Sequence, residues 1–217
     1  MTIKEFHDSI RTMLNIGQAQ HYTPEQIDAQ IHNAVMDLYR KEYEHFESSM
    51  KISDKLGYFK SNELLTLDEN NQASLPEDYM HMQSPVFDAI FVSSEYSGKI
   101  LKTSVYNKRK NSVAFAPSLS YPLGCLVGDR KIEVLPTSMT KARIYYLRKP
   151  VACKYAYSIS QDGYSFVYDE SNSVQIDWPE IDHPKIQNKV LTYLGISLRD
   201  GALGNQERII IGNNEGA

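Results

Sequence analysis

The sequence predicts an α+β protein: a helical bundle from N-terminal helices and a late C-terminal helix, with a β-rich middle segment and an extended C-terminal tail. Three observations carry this reading. Apolar residues recur at helical spacing between Ile3 and Phe46. Short strand-like runs broken by turn residues fill the middle, and helical spacing returns after Asp182. The expected organisation is a helical domain from residues 1–60 plus 179–200, a β-rich domain from 61–178, and a tail from 201–217.

The first helix places Ile3, Phe6, Ile10, Met13 and Leu14 on one stripe. Thr2 and Glu5 have the spacing of a capping box, and Gly17 is the stop. A second start follows, with Thr23 as N-cap, Pro24 at the first helical position and Gln26 closing the box. Its stripe of Ile27, Ile31, Ala34, Val35, Leu38 and Glu42 runs to about Phe46.

Beyond Ser49 the period changes. Leu64–Leu67, a turn at Asp68–Asn71, and Gln72–Leu75 read as a hairpin ending at Pro76. Strands are expected at Val86–Val92, Ile100–Tyr106, Ser112–Ala116, Gly124–Val127, Lys131–Leu135 and Ala142–Leu147, with a tight hairpin at Gly128-Asp129. Two shorter strands are expected near Ser165–Tyr168 and Val174–Ile176. Asp182 then caps a helix with Pro184 in its first turn and Ile186, Val190, Leu194 and Leu198 on its stripe. That helix should end at Gly201 with Arg199 in its last turn. The remaining stretch is rich in Gly and Asn around one apolar island, Ile209-Ile210-Ile211.

Composition excludes several classes. Lys+Arg 23 against Asp+Glu 27 gives a net charge of −4, which is no polybasic nucleic-acid binder over the whole chain. Mean hydropathy is −0.44 and no apolar run approaches the ~18 residues of a spanning helix, so no membrane segment is expected. The charged start, Lys4-Glu5 to Asp8, does not resemble an export signal. Two cysteines, Cys125 and Cys153, make neither a disulfide framework nor a four-thiolate zinc site.

Charge is segregated. Residues 97–150 carry eleven bases against Asp129 and Glu133, a net +9, leaving −13 for the rest of the chain. The second helix region, residues 24–47, has six acids against Arg40 and Lys41. Opposite blocks in one chain pair internally, steer a partner, or join identical subunits head to tail.

Chemistry is harder to find. Glu42 and His45 have the Glu-x-x-His spacing of carboxylate-bridged metal sites, but there is no second copy. Asp177, Glu180, Asp182 and His183 surround Trp178, where caps and dipole partners compete with acid–base work. Cys153 follows the basic Arg148-Lys149, yet no histidine stands beside it in sequence as a base. No zinc-ligand histidine spacing and no phosphate-binding glycine loop occurs. The expectation is a protein without enzymatic activity and without cofactors, the enzyme readings resting only on Glu42 with His45 or on Asp177, Asp182 and His183.

One order of signals points further. The second helix contains Ile31–Tyr39, the segment Leu75-Pro76-Glu77-Asp78-Tyr79 follows, then Ala142–Pro150 with Tyr145-Tyr146-Leu147-Arg148-Lys149-Pro150, and finally Trp178-Pro179-Glu180 before a helix ending near Asp200. Over about residues 20–200 this order resembles the head-to-tail connector proteins of short-tailed bacteriophages, the adaptor-ring or tail tubular A-like family. The resemblance implies a structural virion protein at the head–tail junction or upper tail, assembled in the bacterial host cytoplasm. It implies a homo-oligomeric ring, commonly a dodecamer, between the portal protein and the next tail or ring protein. Genome DNA would pass non-specifically through its channel, with no membrane involved.

The two lines of reasoning meet in expected interface residues. Arg109, Lys110 and Arg143 of the basic segment should approach Glu42 and Glu44 of a neighbour's acidic helix. Arg208, Ile209, Ile210 and Ile211 should order on binding a partner. The alternative is a nucleic-acid-binding module using residues 97–150, with Tyr106 and Tyr121 as stacking side chains.

Overall fold

The computed structural model describes residues 1–16, 22–44, 55–82, 89–93, 96–128, 130–160 and 166–195. It is mixed α+β. In chain order the elements are helices α1 (Ile3–Ile16) and α2 (Pro24–Glu44); strands β1 (Lys60–Thr66), β2 (Gln72–Ser74), β3 (Tyr79–Met82), β4 (Ala89–Ser93) and β5 (Tyr96–Ile100); and helix α3 (Thr103–Lys110). Strands β6 (Leu123–Val127), β7 (Lys131–Leu135), β8 (Lys141–Arg148), β9 (Tyr157–Ile159) and β10 (Phe166–Tyr168) follow, then a 3-10 turn at Glu180–Asp182 and helix α4 (His183–Tyr193). The chain divides into two compact units, residues 1–44 with 150–217, and residues 45–149.

In the first unit both capping boxes form. The Thr2 amide donates to Glu5 Oε2 at 2.8 Å and the Glu5 amide to Thr2 Oγ1 at 3.2 Å. Thr23 and Gln26 repeat the exchange at 2.9 and 3.3 Å. The buried stripe of α1 is Ile3, Phe6, His7, Ile10 and Leu14; Met13 lies off it, and buried His7 takes the place expected of an apolar residue. His7 Nε2 meets Asp28 Oδ1 at 2.8 Å while its ring stacks on Tyr155 at 4.5 Å. Asp28 Oδ2 also accepts the Tyr155 amide at 2.9 Å, so one carboxylate joins α1, α2 and the segment before β9.

Helix α4 packs on α2 and also contacts α1. Lys189 reaches Asp37 at 3.1 Å, Tyr193 also hydrogen-bonds Asp37, and Gln187 Nε2 donates to Ser9 Oγ at 2.6 Å. The Tyr193 hydroxyl and then Lys189 hold the Asp37 carboxyl below its ordinary range. The helix stops earlier than its apolar stripe suggested. It ends at Tyr193, with Gly195 in the left-handed region at φ +79° and its amide bonded to the Thr192 carbonyl. Leu198, Arg199 and Gly201, expected in or after its last turn, lie outside the described residues, as do Gly17 and Phe46. Asp182 does occupy the N-cap position, but its carboxylate makes no capping bond.

The second unit is one sheet in the order β1-β8-β4-β5-β6-β7-β2, with β3 also pairing β8. All pairs are antiparallel except β5 with β6. Strand β8 has β1 along one side and β3 and β4 on the other. Its alternation is plain: Ala142, Ile144 and Tyr146 enter the core with Leu65, Met82, Ile132 and Val134, while Arg143 and Tyr145 face outward. The expected β6–β7 hairpin forms, with Val127 opposite Lys131, Gly128 at φ +59° and Arg130 at φ +56°, while Asp129 of its turn lies outside the described residues.

Four strand expectations are corrected. The Asp68 turn exists, its Oδ1 accepting the Asn70 and Gln72 amides at 2.8 Å, but it joins no hairpin ladder. The first arm, β1, pairs β8 and the second, β2, pairs β7, and Leu65 of one and Ala73 of the other enter the core with Ile132, Ala142 and Ile144. Ile100–Tyr106 is not one strand: β5 ends at Ile100 and α3 follows, since Leu101 and Tyr106 both reach the gap over β6 only if the chain coils. Ser112–Ala116 forms bends and turns with no ladder partner. Val174–Ile176 contributes a single bridge, Val174 to Lys154. Residues 86–88 of the expected Val86–Val92 strand lie outside the described residues, and the strand there is β4.

Candidate docking surfaces

The polar residues around Trp178 are held in structural bonds. Asp182 accepts the Lys185 ammonium at 2.8 Å and the Trp178 indole N–H at 3.4 Å. His183 Nε2 donates to the Trp178 carbonyl at 3.1 Å, and burial holds its imidazole below the usual range. Asp177 accepts the Val151 amide at 2.8 Å, and Glu180 is exposed. Burial, followed by the Asp28 charge, pushes the Cys153 thiol up to about 12, the opposite of what a nucleophile needs. Glu42 is half-buried on α2, and His45 lies outside the described residues. No group of three or more His, Cys, Asp or Glu that could hold a metal ion occurs among the described residues.

The informative surfaces are apolar and charged. Helix α3 buries only Tyr106, at 2% exposure, against Leu123, Cys125 and Leu135. Burial and the neighbouring Glu133 carboxylate push the Tyr106 phenol up. Everything else on the helix faces solvent, including Lys108 and Arg109. Past it, Ser112 Oγ accepts the Phe115 amide at 3.3 Å, and Ser118 and Tyr121 exchange backbone bonds at 3.4 and 3.0 Å. This loop holds Val113 at 99%, Phe115 at 71%, Leu119 at 52% and Tyr121 at 77% exposure. Residues 96–128 contain no Asp or Glu. Exposed apolar groups concentrated in one basic stretch mark a contact surface rather than scattered surface residues.

A second surface lies in the first unit. In the β9–β10 ribbon Ile159 stands opposite Phe166, and Ile159, Phe166 and Val167 are all exposed. Tyr157, on the face of Ile159, donates its hydroxyl to Glu25 at 2.8 Å, and Asp169 and the exposed Glu170 follow β10 directly. The Glu25 carboxyl is held below its ordinary range by its backbone amide and then by Tyr157. Asp169 is held low by Ser171 and Asn172. The Arg11 guanidinium lies over the Phe166 ring at 5.8 Å and over Tyr155 at 5.4 Å.

Of the interface residues expected from the sequence, Arg109, Lys110, Arg143, Glu42 and Glu44 have a place among the described residues. Arg109 and Lys110 share the last turn of α3, where cations suit the helix dipole. Lys110 pairs with Glu133 of β7 at 2.8 Å and sits 5.9 Å from the Tyr106 ring, whereas Arg109 has no ion pair among the described residues. Arg143 is on the outward face of β8, donating to Asn62 at 2.9 Å. Glu44 is exposed at the end of α2, and Arg208, Ile209, Ile210 and Ile211 lie outside the described residues. Of the two stacking tyrosines, Tyr106 is buried and Tyr121 is exposed. Sequence reasoning missed Val113, Phe115, Leu119 and the β9–β10 face. The acid-free stretch was visible, but Val113 and Phe115 alternate with Ser and Ala at the two-residue period of a strand and so read as one.

Exposed apolar residues thus gather in the loop after α3 and on the β9–β10 ribbon. No protein-family model matches the sequence, and no curated protein matches it.

Proposed function

We propose that this chain is a structural virion protein, a subunit of a ring at the phage head–tail junction that joins portal to tail and lines the channel for DNA passage. The observation that carries the reading is the division of charge between the compact units. Residues 1–44 with 150–217 hold sixteen acids against nine bases, and residues 45–149 hold fourteen bases against eleven acids. A chain with unlike charge on its two units, and an exposed apolar surface on each, suits repeated association of identical copies. The resemblance in order of signals supplies the particular assembly: a ring, commonly of twelve, with the portal protein above and a tail or ring protein below. In this reading α1, α2 and α4 form the bundle that packs in the ring, and the tail after residue 200 reaches the portal.

A second reading is favoured by one observation, the exposure of Phe115 and Tyr121 beside Lys108 and Arg109 in an acid-free stretch. Those groups also suit nucleic acid, through stacking and phosphate contacts. Native mass spectrometry of the full chain, alone and with portal rings at low and moderate salt, separates the two. The connector reading expects a closed multimer on the portal. A chain that ignores the portal but binds duplex DNA with strong salt dependence is a nucleic-acid module instead.

A further inference from the structure

We propose that the surface formed by α3 and the loop to Tyr121 of one copy docks on the β9–β10 ribbon of a second copy. Val113 and Phe115 cover Ile159 and Phe166, and Lys108 and Arg109 face Glu25 and Glu170. The inference rests on the ring reading and adds to it the two surfaces that meet.

The argument begins with what the α3 surface rejects. Its stretch from residue 96 to 128 has no acid, and beside the Lys110–Glu133 pair it exposes Lys108 and Arg109, so two copies meeting through the same patch would set cations against cations. A two-fold contact of this patch with itself is therefore disfavoured, and its complement must be a different, acidic surface. The partner must also be apolar, because Val113, Phe115 and Tyr121 stand almost wholly in water. The β9–β10 ribbon meets both demands: Ile159 and Phe166 are exposed opposite one another, and its acids lie toward the open end, Glu25 bonded to Tyr157 and Glu170 two residues past Tyr168. Arg11 is a cation of the same face, but its guanidinium lies against the rings.

Because each copy carries both surfaces, each contact leaves one of each kind free for the next. Such a heterologous contact propagates until it closes. Screening weakens its charged rim, while its apolar centre is little affected by salt.

Charge reversal tests the pairing in the full-length chain. Arg109→Glu alone and Glu170→Lys alone should each weaken self-association at least tenfold by sedimentation, because each sets like charges against one another at every contact. An equal mixture of the two variants should assemble like the unaltered chain, because every contact then pairs unlike charges. Phe115→Ser should weaken assembly without rescue by either. Both positions are exposed, and circular dichroism verifies that each variant keeps its fold. If the unaltered chain assembles and these variants assemble equally well, the paired surfaces are wrong and the ring reading survives. If the unaltered chain stays monomeric at high concentration and on portal rings, both fall. Binding of a labelled oligothymidine strand that Phe115→Ser abolishes, with assembly intact, overturns the proposal in favour of a nucleic-acid surface.

Discussion

His7 and Cys153 show how this protein uses groups that elsewhere do chemistry. Each is buried, and each is tied to Asp28: the imidazole to its carboxylate at 2.8 Å, the thiol to its backbone carbonyl at 3.8 Å. With its thiol raised to about 12, Cys153 should resist alkylation by iodoacetamide at pH 8 in the native protein and react fully in denaturant. Rapid native labelling of Cys153, located by mass spectrometry, would contradict the burial described here. His183 has a different consequence. Burial depresses its folded pKa below the ordinary ~6.5, so the unfolded chain binds the extra proton first. Its contribution to stability is complete above pH 6.5 and is lost as pH falls through the folded value. The melting temperature should therefore drop between pH 7 and pH 5, where His81, also depressed by burial, acts in the same direction. His183→Gln should flatten part of that slope; an unchanged slope would remove His183 as its cause.

Elements divide according to how local their causes are. The capping boxes were legible because Thr23 and Gln26 lie three residues apart and need nothing beyond their own turn. Thr23→Ala should cost about 1 kcal/mol in urea denaturation. The β6–β7 hairpin was legible for the same reason. The partner of β1 was not, since Lys60 meets Leu147 across the whole length of the unit and no local signal encodes that register. Helix α3 was hidden because a single buried tyrosine gives it no stripe to read. The contact surface was half visible: its cations were counted, but Val113 and Phe115 were assigned to a strand that does not form. Strand β8 offers a paired test. Ile144→Ala, in the core, should cost about 2–5 kcal/mol, whereas Leu64→Ala, on the outward face opposite Arg143, should stay within about 0.5 kcal/mol.

At the scale of the molecule, two compact units share one chain, and the second is inserted between the halves of the first. Native-state hydrogen exchange should resolve two groups of slowly exchanging amides with distinct opening free energies, one within residues 45–149 and one shared by α1, α2 and α4. A single opening free energy for all of them would mean that the units unfold as one. In the proposed ring, raising salt should loosen self-association before it lowers either unit's stability.

The insertion also sets an order on the ribosome. Helix α2 ends at Glu44, but the helix it packs on ends only at Tyr193. At elongation speeds of up to ~20 residues per second, that separation is a wait of roughly 7 s or more. During it the β unit can complete as soon as β8 emerges, because its first strand pairs with its last. The apolar stripes of α1 and α2 meanwhile stand without the helix that covers them. A nascent chain of this protein therefore folds from the middle outward, and its earliest-made helices are the last to be sheltered.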